Sequence, residues 1–205
     1  VVTLAAAPVP GATVTAGFAF DVPVRFDTDE HVKASTTVDT LAGMKPAFKK
    51  DGAITAATSS SISDGAAALV MMRESTAKEM KLTPLARIRA HAVHAQAPAW
   101  FTTAPVGAIE KVLKKTGWAV GDVDLWEVNE AFAVVPMALM KELNVPHDKV
   151  NVHGGACALG HPIGASGARI MVTLIHALKA RGLKKGLATL CIGGGEATAV
   201  ALELV

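Results

Sequence analysis

The side chains with the most chemistry in this 205-residue chain are gathered in three short blocks, each set among small residues. They are Asn129-Glu130-Ala131-Phe132, then Gly154-Gly155-Ala156-Cys157-Ala158-Leu159-Gly160-His161-Pro162, then Cys191-Ile192-Gly193-Gly194-Gly195. A thiol beside an imidazolium is driven toward thiolate, which makes it a nucleophile or a base toward a carbon acid. Glycines let a substrate approach the backbone closely and leave N–H groups free to face an oxyanion. Cys191 stands directly before its glycine run, where a thiol can be held firmly and still be reached.

Each block also has a plainer reading. His153, Cys157 and His161 are spaced four apart and on one continuous helix would share a face that could bind zinc. Gly154, Gly155, Gly160 and Pro162 argue against such a helix, so no metal site is expected. Cys157 reads as a small buried residue. Taken singly, Cys191 is compatible with an ordinary buried thiol and His161 with a loop histidine. Asn129 suits a helix N-cap before Glu130. The glycine-rich stretch 154–167 lacks a Gly-Lys-Ser/Thr ending, and no strand leads into a GxGxxG with a downstream acid. Nucleotide hydrolysis and dinucleotide binding are therefore not indicated.

The elements around the blocks alternate in type. Residues 85–93 alternate apolar and polar like a strand, with Leu85, Ile88, Ala90 and Val93 among Arg87, Arg89 and His91. Pro105 opens a helix with Val106, Ile109, Val112 and Leu113 as its apolar stripe, and Gly117 stops it. Residues 123–128 read as a strand, 130–143 as a helix, and a third helix begins near Gly164 and ends at Gly182, with Ile170, Leu174, Ile175 and Leu178 on one face. Residues 187–192 and 198–205 close the chain as strands. The order predicts an α/β unit whose sheet is covered by helices. Upstream, Val22-Pro23-Val24-Arg25-Phe26 reads as an edge strand, Asp27-Thr28-Asp29-Glu30 as a turn, and residues 37–50 as a short helix interrupted at Pro46. Residues 52–63 read as a loop, Ala66 to Met72 as a buried strand, and Glu74 to Lys81 as a helix ended by Pro84.

Composition limits the function classes. Hydrophobic residues make up 51% and charged residues 19%, enough for a packed core and incompatible with a disordered chain. The net charge of +2 gives no default polyanion-binding surface, so no nucleic-acid partner is expected. Two cysteines are too few for a disulfide scaffold. The longest apolar run, residues 131–140, contains Pro136 and is far short of the roughly 18 residues that span a bilayer, so no membrane partner is expected. Residues 1–20 carry no charge but lack a basic leader, so no signal peptide is read and a cytoplasmic location is expected.

Together the three blocks resemble the thiolase family, the acetyl-CoA C-acetyltransferases and 3-ketoacyl-CoA thiolases. The run Asn151 to Arg169 is close to one family signature, Cys191-Ile192-Gly193-Gly194-Gly195 to another, and Asn129-Glu130-Ala131-Phe132 to a third. The resemblance covers roughly residues 21–205, and His153 and Cys157 depart from the common Asn and aliphatic residue at their positions. It implies a layered α/β/α unit, the second half of a duplicated core preceded by part of a loop region. Residues 1–60 then form the end of the loop region, with 1–20 unassigned, residues 61–83 the last piece of the first core domain, and residues 84–205 the C-terminal domain.

The resemblance also implies roles. His161 accepts the proton of a nucleophilic cysteine and helps hold a thioester oxygen. Cys191 is the acid/base at the carbon alpha to the acetyl-CoA carbonyl. Asn129 holds a water of one oxyanion hole and Gly193 contributes its amide to a second. Ser60 lies near the coenzyme A pantetheine, and Ala131 and Phe132 line the acyl pocket. Coenzyme A is substrate and product, with no permanently bound cofactor, and a homotetramer in fatty acid metabolism is implied. The family's nucleophilic cysteine belongs to an N-terminal half that this chain is expected to lack, and Cys157 is no substitute because it sits in the histidine's own loop. A partner-dependent half-enzyme and a non-catalytic coenzyme A-binding module are the alternatives. The ketoacyl synthases are a weaker likeness, because they usually lack the paired Gly-His-Pro and Cys-x-Gly-Gly-Gly blocks.

Overall fold

A computed structural model describes residues 37–205. The expected strand at 22–26 and turn at 27–30 lie outside the described residues. The helices are α1 (Val38–Ala42), α2 (Glu74–Glu79), α3 (Ala104–Thr116), α4 (Val134–Leu143), α5 (Ala156–Leu159) and α6 (Ile163–Arg181). The strands are β1 (Ala86–Ala95), β2 (Leu125–Val128), β3 (Lys185–Ile192) and β4 (Glu196–Leu204). They form one sheet in the order β1-β4-β3-β2, with β4 antiparallel to both neighbours and β2 parallel to β3.

The sheet divides two apolar cores. On one face α3 and α4 bring Ile109, Val112, Val135 and Leu139 against Trp126, Val128 and Leu187. On the other, α6 brings Ile170, Leu174, Ile175 and Leu178 against Leu125, Ala188 and Leu202. Alternate residues of β2 and β3 thus serve opposite layers, as a pleated strand requires. Trp126 is 1% exposed, and a buried indole of this kind contributes several kcal/mol of apolar burial at about 25 cal/mol/Å². The chain changes faces between α4 and α6 at Val150, which bridges Trp126 in parallel beside β2.

The helix ends follow their chemistry. Gly117 and Gly182 close α3 and α6 in the left-handed conformation, at φ 71° and 66°. Lys111 and Lys115 of α3 reach over β1 and donate to the carbonyls of Val93 and His91, at 3.0 and 2.8 Å. Bonds of this kind blunt a strand edge that would otherwise invite pairing.

The expected α/β order from residue 85 onward is observed, with two upstream corrections. Residues 37–50 form only the five-residue α1, whose Thr37 cap is in place but which ends at Gly43, ahead of Pro46. Among the described residues Ala66 to Met72 forms no continuous strand: Leu69 alone makes a β-bridge and packs on the α6 side of the core, while Ala66 and Ala68 are exposed. An apolar run can be satisfied by lying on a helix-covered face as well as by a strand partner. Helix α4 starts at Val134 rather than at Glu130, which leaves residues 129–133 irregular.

The β3–β4 turn yields a stability test. Gly195 has φ +101°, and a Cβ there would strike the Gln96 carbonyl and come within 3.1 Å of the Pro98 backbone. Gly195→Ala should lose about 2 kcal/mol or more in denaturant unfolding. At Gly193 an added Cβ meets nothing within 4 Å among the described residues, so Gly193→Ala should stay within about 0.5 kcal/mol of the parent.

Candidate active site

The site is built where β2 and β3 end. Asn129 extends the β2 ladder by one residue, its N–H donating to the Thr189 carbonyl of β3 at 2.9 Å. Its side chain is 1% exposed and its Nδ2 lies 3.3 Å from His161 Nε2. Asn129 is therefore not the cap of a helix, because α4 begins further on and the side chain is engaged across the site. Among the described residues the Asn129 Oδ1 is buried without a hydrogen-bond partner. A buried acceptor of this kind calls for a donor from a ligand or water.

His161 is held from three sides. Its backbone N–H donates to the Ser61 carbonyl at 2.9 Å, its Nδ1 lies 2.6 Å from Ser166 Oγ, and its Nε2 faces Asn129. Burial, and then the positive charge of Arg169, hold the imidazole below its ordinary pKa, so the ring is neutral near pH 7. Cys191 lies on β3 beyond Thr189, 5% exposed, against the α3 and α4 core. Burial pushes its thiol up to about 11. No hydrogen bond joins the thiol to His161 or Asn129 among the described residues. Gly193 is exposed in the turn that follows.

The loop at 58–63 links the blocks. Ala133 N–H donates to the Thr58 carbonyl at 2.8 Å, and Ser59 bridges Phe132. Ser60 gives both its N–H and its hydroxyl to the Ala131 carbonyl, each at 3.1 Å. Phe132 stands edge-on to Phe48 and Phe101, with ring centres at 5.8 and 6.2 Å. Ser60, Ala131 and Phe132 are thus contiguous, and His161 is tied to the same loop through Ser61.

Several residues that hold the site went unread in the sequence. Asn151 pairs with both backbone groups of Val128, at 2.8 Å each, as a neighbouring strand would. Its Nδ2 also donates to Glu130 Oε1 at 2.7 Å, while Glu130 Oε2 accepts the Cys157 N–H at 3.1 Å. Gly155 lies against that carboxylate, where a Cβ would collide with it. Burial, and then the Glu130 charge, push the Cys157 thiol up to about 12, as suits a packed residue rather than a nucleophile. Among the described residues, no group of three His, Cys, Asp or Glu is arranged to hold a metal. Beneath the site, Glu127 is 2% exposed and its Oε2 stands 3.9 Å from Arg169 Nη1. A glutamate inside a strand buried on both faces was the available signal for this pair.

Two tests follow. Both thiols should resist iodoacetamide at neutral pH, and Cys191 labelling should rise before Cys157 labelling as pH climbs toward 11; mass-mapped alkylation reads this directly. Burial pushes the Glu127 carboxyl from 4.5 up to about 7, against the pull of Arg169. The folded state then holds this proton more tightly than the unfolded state. The carboxyl's contribution is present below pH 4.5 and is lost as pH rises toward 7. Glu127→Gln should flatten that part of a stability–pH curve measured by denaturant unfolding.

The family model "Thiolase, C-terminal domain" matches residues 82–204, and "Thiolase, N-terminal domain" matches residues 12–75. The acetyl-CoA acetyltransferase of Chromobacterium violaceum is 52% identical over 181 residues, covering 88% of this chain and 46% of the relative. That of Escherichia coli is 53% identical over 178 residues, covering 87% and 45%. The crystal structure of the Bacillus anthracis acetyl-CoA acetyltransferase superimposes with TM-score 0.83 at 51% identity, over 86% of this chain and 45% of that one. Human mitochondrial 3-ketoacyl-CoA thiolase in complex with CoA gives 0.83 at 44% identity, over the same shares of 86% and 45%. The chain spans about half the length of the relatives it matches. With its three blocks gathered at one end of a thiolase-like sheet, the chain belongs to the thiolase family.

Proposed function

We propose that this chain provides the histidine and the second cysteine of a thiolase site. There, two acetyl-CoA condense to acetoacetyl-CoA and CoA, or a 3-ketoacyl-CoA is cleaved by CoA. The observation that carries the reading is the contact between buried Asn129 and half-buried His161 beside the strand end that bears Cys191 and Gly193. Residues 84–205 act as the C-terminal domain, and residues 61–83 as the last piece of the first.

In the first half-reaction a nucleophilic thiol, from sequence outside the three blocks, gives its proton to His161 Nε2. The resulting thiolate takes the acetyl group from acetyl-CoA, and CoA leaves as its thiol after taking that proton. The orphaned Asn129 Oδ1 holds the water that, with the protonated Nε2, faces the thioester oxygen. In the second half-reaction Cys191 first gives its own proton to the again neutral His161 Nε2 and, as thiolate, takes a proton from the methyl carbon of a second acetyl-CoA. The carbanion attacks the acetyl thioester, and the nucleophile departs as its thiol by taking the proton held on Nε2. In cleavage the same thiol donates that proton back to carbon. A thiol pushed up to about 11 keeps its proton until a strongly basic carbanion appears, which suits it to the cleavage direction. Gly193 supplies an amide to the second oxyanion, Ala131 and Phe132 line the acyl pocket, and Ser60 lies near the pantetheine. A homotetramer in the cytoplasm is the assembly that goes with this reading.

The test is a division of labour. In protein that carries the nucleophile, Cys191→Ala should abolish acetoacetyl-CoA formation while acetyl transfer onto the enzyme persists. His161→Ala should slow acylation itself by about 10² to 10⁴. Equal loss of both steps in Cys191→Ala would refute the assignment. CoA thioester binding without turnover, indifferent to Cys191, would mark a binding module instead. The intact mass of the denatured polypeptide tells which protein to assay: about twice that of these 205 residues identifies a chain with its own nucleophile.

A further inference from the structure

The two ring nitrogens of His161 have neighbours of different kinds. Nδ1 lies 2.6 Å from Ser166 Oγ, and Nε2 lies 3.3 Å from Asn129 Nδ2. A serine hydroxyl has one proton to give. Ser166 stands in the first turn of α6, and its Oγ is 3.1 Å from the Pro162 carbonyl oxygen four residues back, an atom that can only accept. With the proton directed to that carbonyl, Ser166 meets the imidazole with a lone pair. Nδ1 is then the nitrogen that carries hydrogen. On the far side the Asn129 NH₂ group can only donate, so it requires a lone pair on Nε2. Two contacts from different elements demand the same tautomer, and Ser166 is only 1% exposed.

We propose that Ser166 is a positioning residue that holds neutral His161 as its Nδ1–H tautomer and so presents an unprotonated Nε2 to the site. The tautomer stands on its own geometry; only the use of Nε2 as a base rests on the thiolase reading. In that use an S–H bond breaks, an Nε2–H bond forms, and the sulfur keeps the electron pair. The imidazolium then carries hydrogen on both nitrogens, and Ser166 Oγ goes on accepting from Nδ1 without rearranging.

The experiment is a two-bond ¹H–¹⁵N correlation spectrum of the ¹⁵N-histidine-labelled protein at a pH where the ring is neutral, with His161→Gln assigning the signals. Wild-type His161 is expected as a single tautomer protonated on Nδ1. Ser166→Ala should move the tautomer ratio roughly five- to tenfold toward Nε2–H, the equivalent of one net hydrogen bond. Ser166→Thr, which keeps the hydroxyl, should restore the parent pattern, as a merely space-filling role would not require. A wild-type ring protonated on Nε2, or a ratio unchanged in Ser166→Ala, overturns the proposal. The wild-type spectrum decides by itself if either variant fails to fold. None of these readings needs turnover, so a failed tautomer leaves the acyl-transfer assignment standing, and a failed acyl-transfer assignment leaves the tautomer.

Discussion

The parallel pairing of β2 with β3 is the constraint on which the rest of the site depends. It sets Val128 opposite Thr189, and the Asn129 N–H carries the ladder one bond further. Because the strands run the same way, Asn129, just past the end of β2, and Cys191, near the end of β3, lie at the same end of the sheet. Asn129 and Cys191 are neighbours for this reason although they are far apart in sequence. A parallel pair needs a long crossover, and here that crossover also delivers His161 to the same end.

The crossover packs on the sheet through the apolar faces of α4 and α6, and polar side chains fasten the loop between them. Asn151 imitates a strand partner for Val128, and Glu130 joins Asn151 to the start of α5. Each contact satisfies a group that would be expensive to bury alone. The Glu127–Arg169 pair extends this logic beneath the site: a carboxyl with little water ionises reluctantly, and the adjacent guanidinium in turn disfavours a charged His161. Neutral histidine and protonated thiol thus share a physical cause, the burial that surrounds them. Asn129 Oδ1, beside His161, is a buried acceptor left without a hydrogen-bond partner among the described residues.

The legible parts of the sequence were those governed by local rules. The stripe of Ile170, Leu174, Ile175 and Leu178 marked α6, and glycine stops fixed the ends of α3 and α6. The three blocks were legible because reactive residues among glycines have few structural uses. Ala66 to Met72 misled, since an apolar run looks the same whether it pairs with a strand or lies on a helix-covered face. Asn129 misled as a cap because a short polar residue before a helix-like run fits that role locally, while its true partner is 32 residues away.

The amino-acid sequence by itself determined the α/β order, the family signatures and the identity of the reactive side chains, because periodicity, turn chemistry and motif spacing are short-range properties of the chain. Only the tertiary structure decided that Asn129 meets His161, that Ser166 meets its other nitrogen, and that Glu130 holds the loop between them. Those contacts depend on strand register and on the path of the crossover, and these are settled by burying both faces of the sheet at once.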